Sequence, residues 1–168
     1  GAAAVARLIV SAVEHPAVLA GGRFEPDDVT IVPVDENGLL DLSVLEEAIK
    51  SDPRTPLVSV MAANNETGVR QPLKEIAALA RGAGGTFHTD AVQAFGRVAD
   101  EEIVGDLISI SGHKLGAPLG VGVLVRRCGT TVPTLIRGGG QERGARAGTE
   151  NVAAIAGLLA ALQSPAAQ

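Results

Sequence analysis

Short apolar runs recur along the chain at residues 8–11, 29–34, 57–61, 86–90, 106–110 and 121–126, and each is bounded by turn-forming or polar residues. Their lengths suit strands, and the unbroken apolar run 57–61 marks a strand buried on both faces. Between them the spacing changes to that of helices. Leu42, Leu45, Ala48 and Ile49 follow Asp41, and Leu73, Ile76, Ala77, Leu79 and Ala80 follow Pro72. Each set lines one face of a helix. Pro16 suits the first turn of another helix, Asp35-Glu36-Asn37-Gly38 reads as a turn, and residues 151–162 read as a closing amphipathic or buried helix. Strands alternating with helices predict an α/β fold, a three-layer sandwich around a mainly parallel sheet with helices on both faces. The opening residues read as a helix tail running into the first strand, and residues 164–168 as a frayed end. No repeat or low-complexity linker interrupts the 168 residues, which read as a single domain.

Composition narrows the core and the partners. The chain holds three Phe and neither Trp nor Tyr, so its interior is built from Ala, Val, Leu and Ile. A formal charge of −5 leaves no basic stripe to neutralise phosphates and argues against nucleic acid. One cysteine, Cys128, excludes an internal disulfide framework and fits a reducing, cytoplasmic setting. No apolar run is long enough to span a bilayer, and the opening residues lack the basic start and cleavage site of a secretory signal.

The chemistry gathers where the strands end. Lys114 lies in Ser111-Gly112-His113-Lys114, directly after the strand at 106–110 and before the turn Gly116-Ala117-Pro118-Leu119-Gly120. A lysine held there away from water is an amine nucleophile suited to Schiff-base chemistry; a loop lysine pointing outward is the plainer alternative. His15 stands at a strand-to-helix junction, as a cap or as a site residue. Asn64-Asn65 follows the strand at 57–61, as a turn or as a ligand contact. Asp90 ends the strand at 86–90, with Gln93 just beyond it. A carboxylate buried there needs a positive partner or several donors. Residues 137–151 carry five glycines, three arginines and a helix start at Thr149, a donor-rich loop of the kind that approaches anions, though a bare glycine-rich loop is weak evidence for a phosphate.

In parallel neighbouring strands these groups project from one edge of the sheet, where open α/β sheets bind ligands. A lysine and an aspartate facing each other there form either a buried ion pair or part of a pyridoxal 5'-phosphate site. Such a site asks for a lysine to bind the aldehyde, an aspartate for the ring nitrogen, a flat residue to stack on the ring, an amide for the ring oxygen, and hydroxyl and N–H groups for the phosphate. Each role has a candidate among His15, Asn65, Asp90, Gln93, Ser111, His113 and Lys114.

The same stretches resemble the cysteine desulfurases, class-V pyridoxal-phosphate enzymes with the aspartate-aminotransferase-like (fold type I) fold. The matching pieces are Glu14-His15-Pro16-Ala17-Val18, Asn64-Asn65-Glu66-Thr67-Gly68, His88-Thr89-Asp90-Ala91-Val92-Gln93, Ser111-Gly112-His113-Lys114 and the run from Gly138 to Thr149, in family order. The resemblance implies Lys114 as the Schiff-base lysine and Asp90 as the ring-nitrogen partner. It implies His15 stacked on the ring and acting in proton transfer, Asn65 and Gln93 around the ring, and Ser111 and His113 at the phosphate. Thr149 would reach the phosphate of the other subunit of a homodimer. The implied reaction releases sulfur from L-cysteine, gives alanine, and passes a persulfide to an acceptor protein for iron–sulfur cluster or thiolated tRNA synthesis. On this resemblance the chain is the central part of the cofactor-binding large domain. The upstream phosphate loop, the small domain, its substrate-binding arginine and the sulfur-accepting cysteine are expected elsewhere, so the pocket is encoded in part and turnover is not. Cys128 stands too early in the chain to be that cysteine. A selenocysteine lyase, another class-V aminotransferase or epimerase, and a non-catalytic dimerising piece are the alternative readings.

Overall fold

A computed structural model describes residues 5–164. The helix tail expected at the start and the frayed end fall mainly outside them. Six strands form one sheet: β1 (Arg7–Ser11), β2 (Val29–Val32), β3 (Pro56–Ser59), β4 (Thr86–Asp90), β5 (Leu107–Ser111) and β6 (Gly122–Arg126), in the order β2-β1-β3-β4-β5-β6. All neighbours run parallel except β5 and β6, which pair antiparallel. The mainly parallel sheet is therefore as expected, with an antiparallel strand at one edge. The second strand is shorter than its apolar run because Pro33 cannot donate to the ladder; Val34 instead forms an isolated bridge with Leu40.

Four helices accompany the sheet: α1 (Pro16–Leu19), α2 (Leu42–Lys50), α3 (Leu73–Gly82) and α4 (Val152–Leu162). Asp41 caps α2 by accepting hydrogen bonds from the N–H groups of Ser43 and Val44. Ile9, Val32, Val58 and Phe87 from four adjacent strands pack against Leu45 and Ile49 of α2 and Leu73, Ile76 and Ala80 of α3. Each such side chain contributes about 1.5–3 kcal/mol by leaving water. Small Ala77 and Ala80, both fully buried, let α3 lie close on β3 and β4. Helix α4 belongs to another part of the molecule, packing on the turn that carries Lys114. It begins at Val152, with the Asn151 side chain accepting from the Ala154 N–H, so Thr149 lies before the helix and does not start it. Asn out-competes Thr at a cap, which accounts for the later start.

Two buried ionic groups hold the layers in register. The Arg7 guanidinium, on β1, donates to the carbonyls of Ala48, Ile49, Asp52 and Arg54, closing the end of α2. A cation at those carbonyls also meets the negative end of the helix dipole. Asp106, just before β5, accepts from the Phe87 N–H of β4 and from Arg81 of α3 and Arg127 beyond β6. Desolvation alone would raise its pKa; the Phe87 N–H and the two guanidinium groups outweigh it and hold the carboxyl below its ordinary value.

Candidate active site

Strands β1, β3, β4 and β5 are consecutive in the sheet and parallel, so their carboxyl ends share one edge. His15 follows β1, Asn65 follows β3, Asp90 ends β4 with Gln93 in the next turn, and Ser111, His113 and Lys114 follow β5. Seven of the eight candidates therefore come together at this edge because of the topology. Thr149 is the exception in sequence, lying in the segment before α4, exposed and with no side-chain partner given by the described residues.

Lys114 sits in a single 3-10 turn, Gly112–Leu115, closed by Gly116 in the left-handed conformation (φ 86°). That dihedral suits glycine and disfavours residues with a Cβ. Gly112 anchors the turn by donating to Val121 O and accepting from Ala117 N. The Lys114 side chain is exposed. Of the two readings of Lys114, the outward-pointing one describes it and not the desolvated one: the turn lies outside the β5 ladder, and neighbouring β6 is exposed along its whole length, leaving the long stem in water. The Lys114 backbone is held, however, because Arg97 donates to its carbonyl at 2.7 Å and reaches the Gln93 carbonyl with its other terminal nitrogen.

The remaining polar groups are tied locally. His15 is the N-cap of α1, with its Nδ1 accepting from the Ala17 N–H at 3.2 Å. An accepting Nδ1 places the proton of the neutral ring on Nε2, so capping leaves an N–H free on an exposed imidazole. Ser111 Oγ lies 2.8 Å from His113 Nδ1, joining the two as one unit. Asp90 is half-buried, and its Oδ1 accepts from the Val92 N–H. Of the asparagine pair, Asn64 does the structural work: it donates to Val13 O and its Oδ1 accepts from the N–H groups of Glu66 and Thr67. Asn65 is exposed, and its side chain makes no hydrogen bond among the described residues.

Glu14 escaped the sequence reading as a separate candidate. It is 4% exposed, its Oε1 accepts from the Met61 N–H at 2.7 Å, and its Oε2 is buried without a partner. Burial is the main cause that pushes its pKa up to about 8; the Met61 bond opposes the rise and the negative charge of Asp90 adds to it. The sequence signal is slight: Glu14 stands three residues past β1 between Val13 and His15, and its burial comes from long-range contacts such as the Met61 N–H 47 positions away.

The Aminotransferase class-V profile matches residues 3–167. The chain belongs to the class-V aminotransferase family. Within that family it is similar to a cysteine desulfurase from Gluconacetobacter diazotrophicus, 49% identical over 90% of this chain and 39% of the relative. It is likewise similar to cysteine desulfurase NifS from Azotobacter vinelandii, 50% identical over 90% of this chain and 38% of the relative. Among solved structures, a NifS-like protein from Rickettsia africae superposes with a TM-score of 0.86 at 37% identity, over 93% of this chain and 44% of that one. The class-V chain thus spans about two fifths of the length of the curated relatives it matches. Among its described residues, no cluster of His, Cys, Asp and Glu suits a metal ion, and no helix is long and apolar enough to cross a membrane.

Proposed function

We propose that this class-V chain carries the cofactor-binding part of a pyridoxal-phosphate-dependent cysteine desulfurase. The observation that carries the reading is the placement of an exposed lysine, Lys114, after β5 and a carboxylate, Asp90, at the end of adjacent β4. The donor set fits the cofactor chemically. Lys114 offers its side-chain nitrogen, unobstructed by neighbours, for the aldehyde carbon, and Asp90 offers a carboxylate oxygen for the ring nitrogen. Joined through Oγ and Nδ1, the neutral Ser111–His113 pair has one donor left for a phosphate oxygen, the ring Nε2–H when the hydroxyl donates and the hydroxyl when the ring does. Gln93 and Asn65 are the amides available to the ring oxygen.

When bound, pyridoxal phosphate supplies an electron-withdrawing ring that weakens bonds at the α-carbon of an amino acid. The chain's own groups orient and move protons around it. Asp90 would hold the ring nitrogen through its carboxylate and favour a positive charge there. His15, with its proton on Nε2, is both a flat surface and a proton carrier at the mouth of the edge. Arg97 links the backbone carbonyls of Gln93 and Lys114, tying the segment after β4 to the Lys114 turn. Thr149, in the glycine-rich segment, is assigned to the phosphate of a second subunit in a homodimer. The substrate of the whole protein is L-cysteine, as the desulfurase names of the similar proteins support; its sulfur passes to an acceptor protein for iron–sulfur cluster or thiolated tRNA synthesis, in the cytoplasm.

The test is an absorption spectrum after addition of pyridoxal phosphate, followed by borohydride reduction and peptide mapping. The reading expects one reduced adduct, on Lys114. An adduct spread over Lys50 and Lys74, or none, overturns it.

A further inference from the structure

Three side chains on the same face as Asp90, those of Ser59, His88 and Ser109, have no part in the reaction described above. Ser59 of β3 is the register partner of His88 of β4, and Ser109 of β5 is the register partner of Asp90. Paired residues of a parallel ladder, and residues two apart on one strand, point to the same face, so these four side chains form one group. Ser59 Oγ lies 2.7 Å from His88 Nδ1, and Ser109 Oγ lies 2.8 Å from His88 Nε2. The imidazole therefore bridges three adjacent strands, two residues before Asp90.

Burial selects the direction of the chain. Ser59 is 2% exposed and, among the described residues, its hydroxyl has His88 as its one hydrogen-bond partner. A buried O–H without an acceptor costs about 1–3 kcal/mol, so Ser59 donates to Nδ1. Nδ1 is then the acceptor, the ring proton sits on Nε2, and Nε2–H donates to Ser109 Oγ. An imidazolium would carry a proton on both nitrogens and orphan the Ser59 hydroxyl proton. Burial of the ring acts the same way, lowering the His88 pKa against the opposing pull of Asp90. The other carboxyl coupled to Asp90 is Glu14, which its raised pKa keeps neutral near pH 7.

We propose that Ser59–His88–Ser109 is a positioning device for Asp90: it holds an uncharged imidazole rigidly across three strands, so that Asp90 keeps an unneutralised carboxylate for the ring nitrogen of the cofactor. This rests on the reading of Asp90 given above. A charged His88 on the same face would compete with the ring nitrogen for that carboxylate. His88 acts through Asp90 and does not itself touch the cofactor.

Two measurements on the 168-residue chain test it. Nitrogen-15 NMR of the imidazole, without cofactor, is expected to show His88 as the Nε2–H tautomer from about pH 6 to 8, with Ser59→Ala giving a tautomer mixture. With pyridoxal phosphate added, His88→Gln, whose amide can accept from Ser59 and donate to Ser109, is expected to keep the wild-type absorption spectrum and its pH midpoint. His88→Phe is expected to move that midpoint by about half a pH unit or more and to weaken cofactor binding about fivefold. Ser59→Ala, a gentler change, shifts the same midpoint in the same direction. An imidazolium or an Nδ1–H tautomer in the wild type at pH 7 overturns the proposal, as does a His88→Phe variant with unchanged spectrum and affinity. If the wild-type chain takes up no pyridoxal phosphate, the cofactor reading fails, and the role assigned to His88 fails with it. The NMR result alone then decides whether the hydrogen-bond chain exists.

Discussion

Glu14 is the residue whose chemistry departs furthest from its type. Its carboxyl pKa is raised from the ordinary value of 4.5 to about 8. For a group whose folded pKa lies above its unfolded one, the folded state binds the extra proton. Its contribution to stability is therefore complete below about pH 4.5 and lost as pH rises through about 8. The loss from this one group is on the order of 3–5 kcal/mol. Glu14→Gln keeps an oxygen to accept from Met61 N–H and removes the titration. Urea unfolding at a series of pH values is expected to show a decline for the wild type between about pH 4.5 and 8 that the Gln variant largely lacks. Equal declines in both would show that Glu14 already reaches water. The contrast with Asp106 is instructive, because that carboxylate is also buried yet is held ionised by one N–H and two guanidinium groups. The sequence exposes the difference only in part. Arg81 and Arg127 meet Asp106 from 25 and 21 positions away, whereas Glu14 is met by the Met61 N–H from 47 positions away and by no guanidinium among the described residues.

Elements are joined here by a few side chains that the hydrophobic pattern does not mark. Arg7 opens an apolar strand and would pass for a solvent-facing residue, yet its guanidinium makes four hydrogen bonds to carbonyls at and beyond the end of α2. Arg7→Met keeps much of the apolar stem and orphans those carbonyls. It is expected to cost about 3 kcal/mol or more in chemical denaturation; a loss under about 1 kcal/mol would show that water replaces the guanidinium freely. A second junction lies between α4 and the Lys114 turn. A Cβ on Gly157 would stand 2.5 Å from the Pro118 ring, closer than packing allows, and neither the helix backbone nor the proline ring yields easily. Gly157→Ala improves intrinsic helix propensity, yet its expected result is a loss of about 1–3 kcal/mol from overpacking, with amide shift changes at residues 112–120. A more stable variant would sink this account. Strand and helix positions were legible because period-2 and period-3.6 patterns survive wherever an element has one buried face, as in α2 and α3. The edge strand β6 kept its place in the sequence but not its direction, since an antiparallel closure at the sheet's edge leaves no trace in apolar spacing. The exposure of Lys114 was illegible for a similar reason, as it depends on what lies over the turn and not on the turn's own residues.

Across the whole molecule, stability is distributed unevenly, and the candidate site lies on the boundary. The main apolar cluster draws on β1 to β4, α2 and α3, with no buried contribution from β6 or α4. Every residue of β6 is exposed, and α4 leaves Val152, Ile155, Leu159 and Leu162 substantially in solvent. The segment before α4 includes Glu142 and Arg143 with φ of 49° and 56°, a conformation non-glycine residues adopt at a cost. Asp90 and the Ser59–His88–Ser109 chain thus belong to the well-packed part, whereas Lys114 and Thr149 belong to the loosely packed part. Ligand-closing elements are commonly drawn from the low-stability end of a structure. Amide hydrogen exchange is expected to follow this division. Amides of β1, β3 and β4 should open only with global unfolding, while residues 112–120, β6 and 130–150 exchange at least about a hundredfold faster. Addition of pyridoxal phosphate should slow exchange at residues 112–116 with little change in β1 to β4, because the cofactor would link an already rigid carboxylate to a mobile amine. Uniform protection across both parts before cofactor is added would contradict the division. Protection gained mainly in β1 to β4 would place the cofactor's energetic contribution in the core, away from the Lys114 turn.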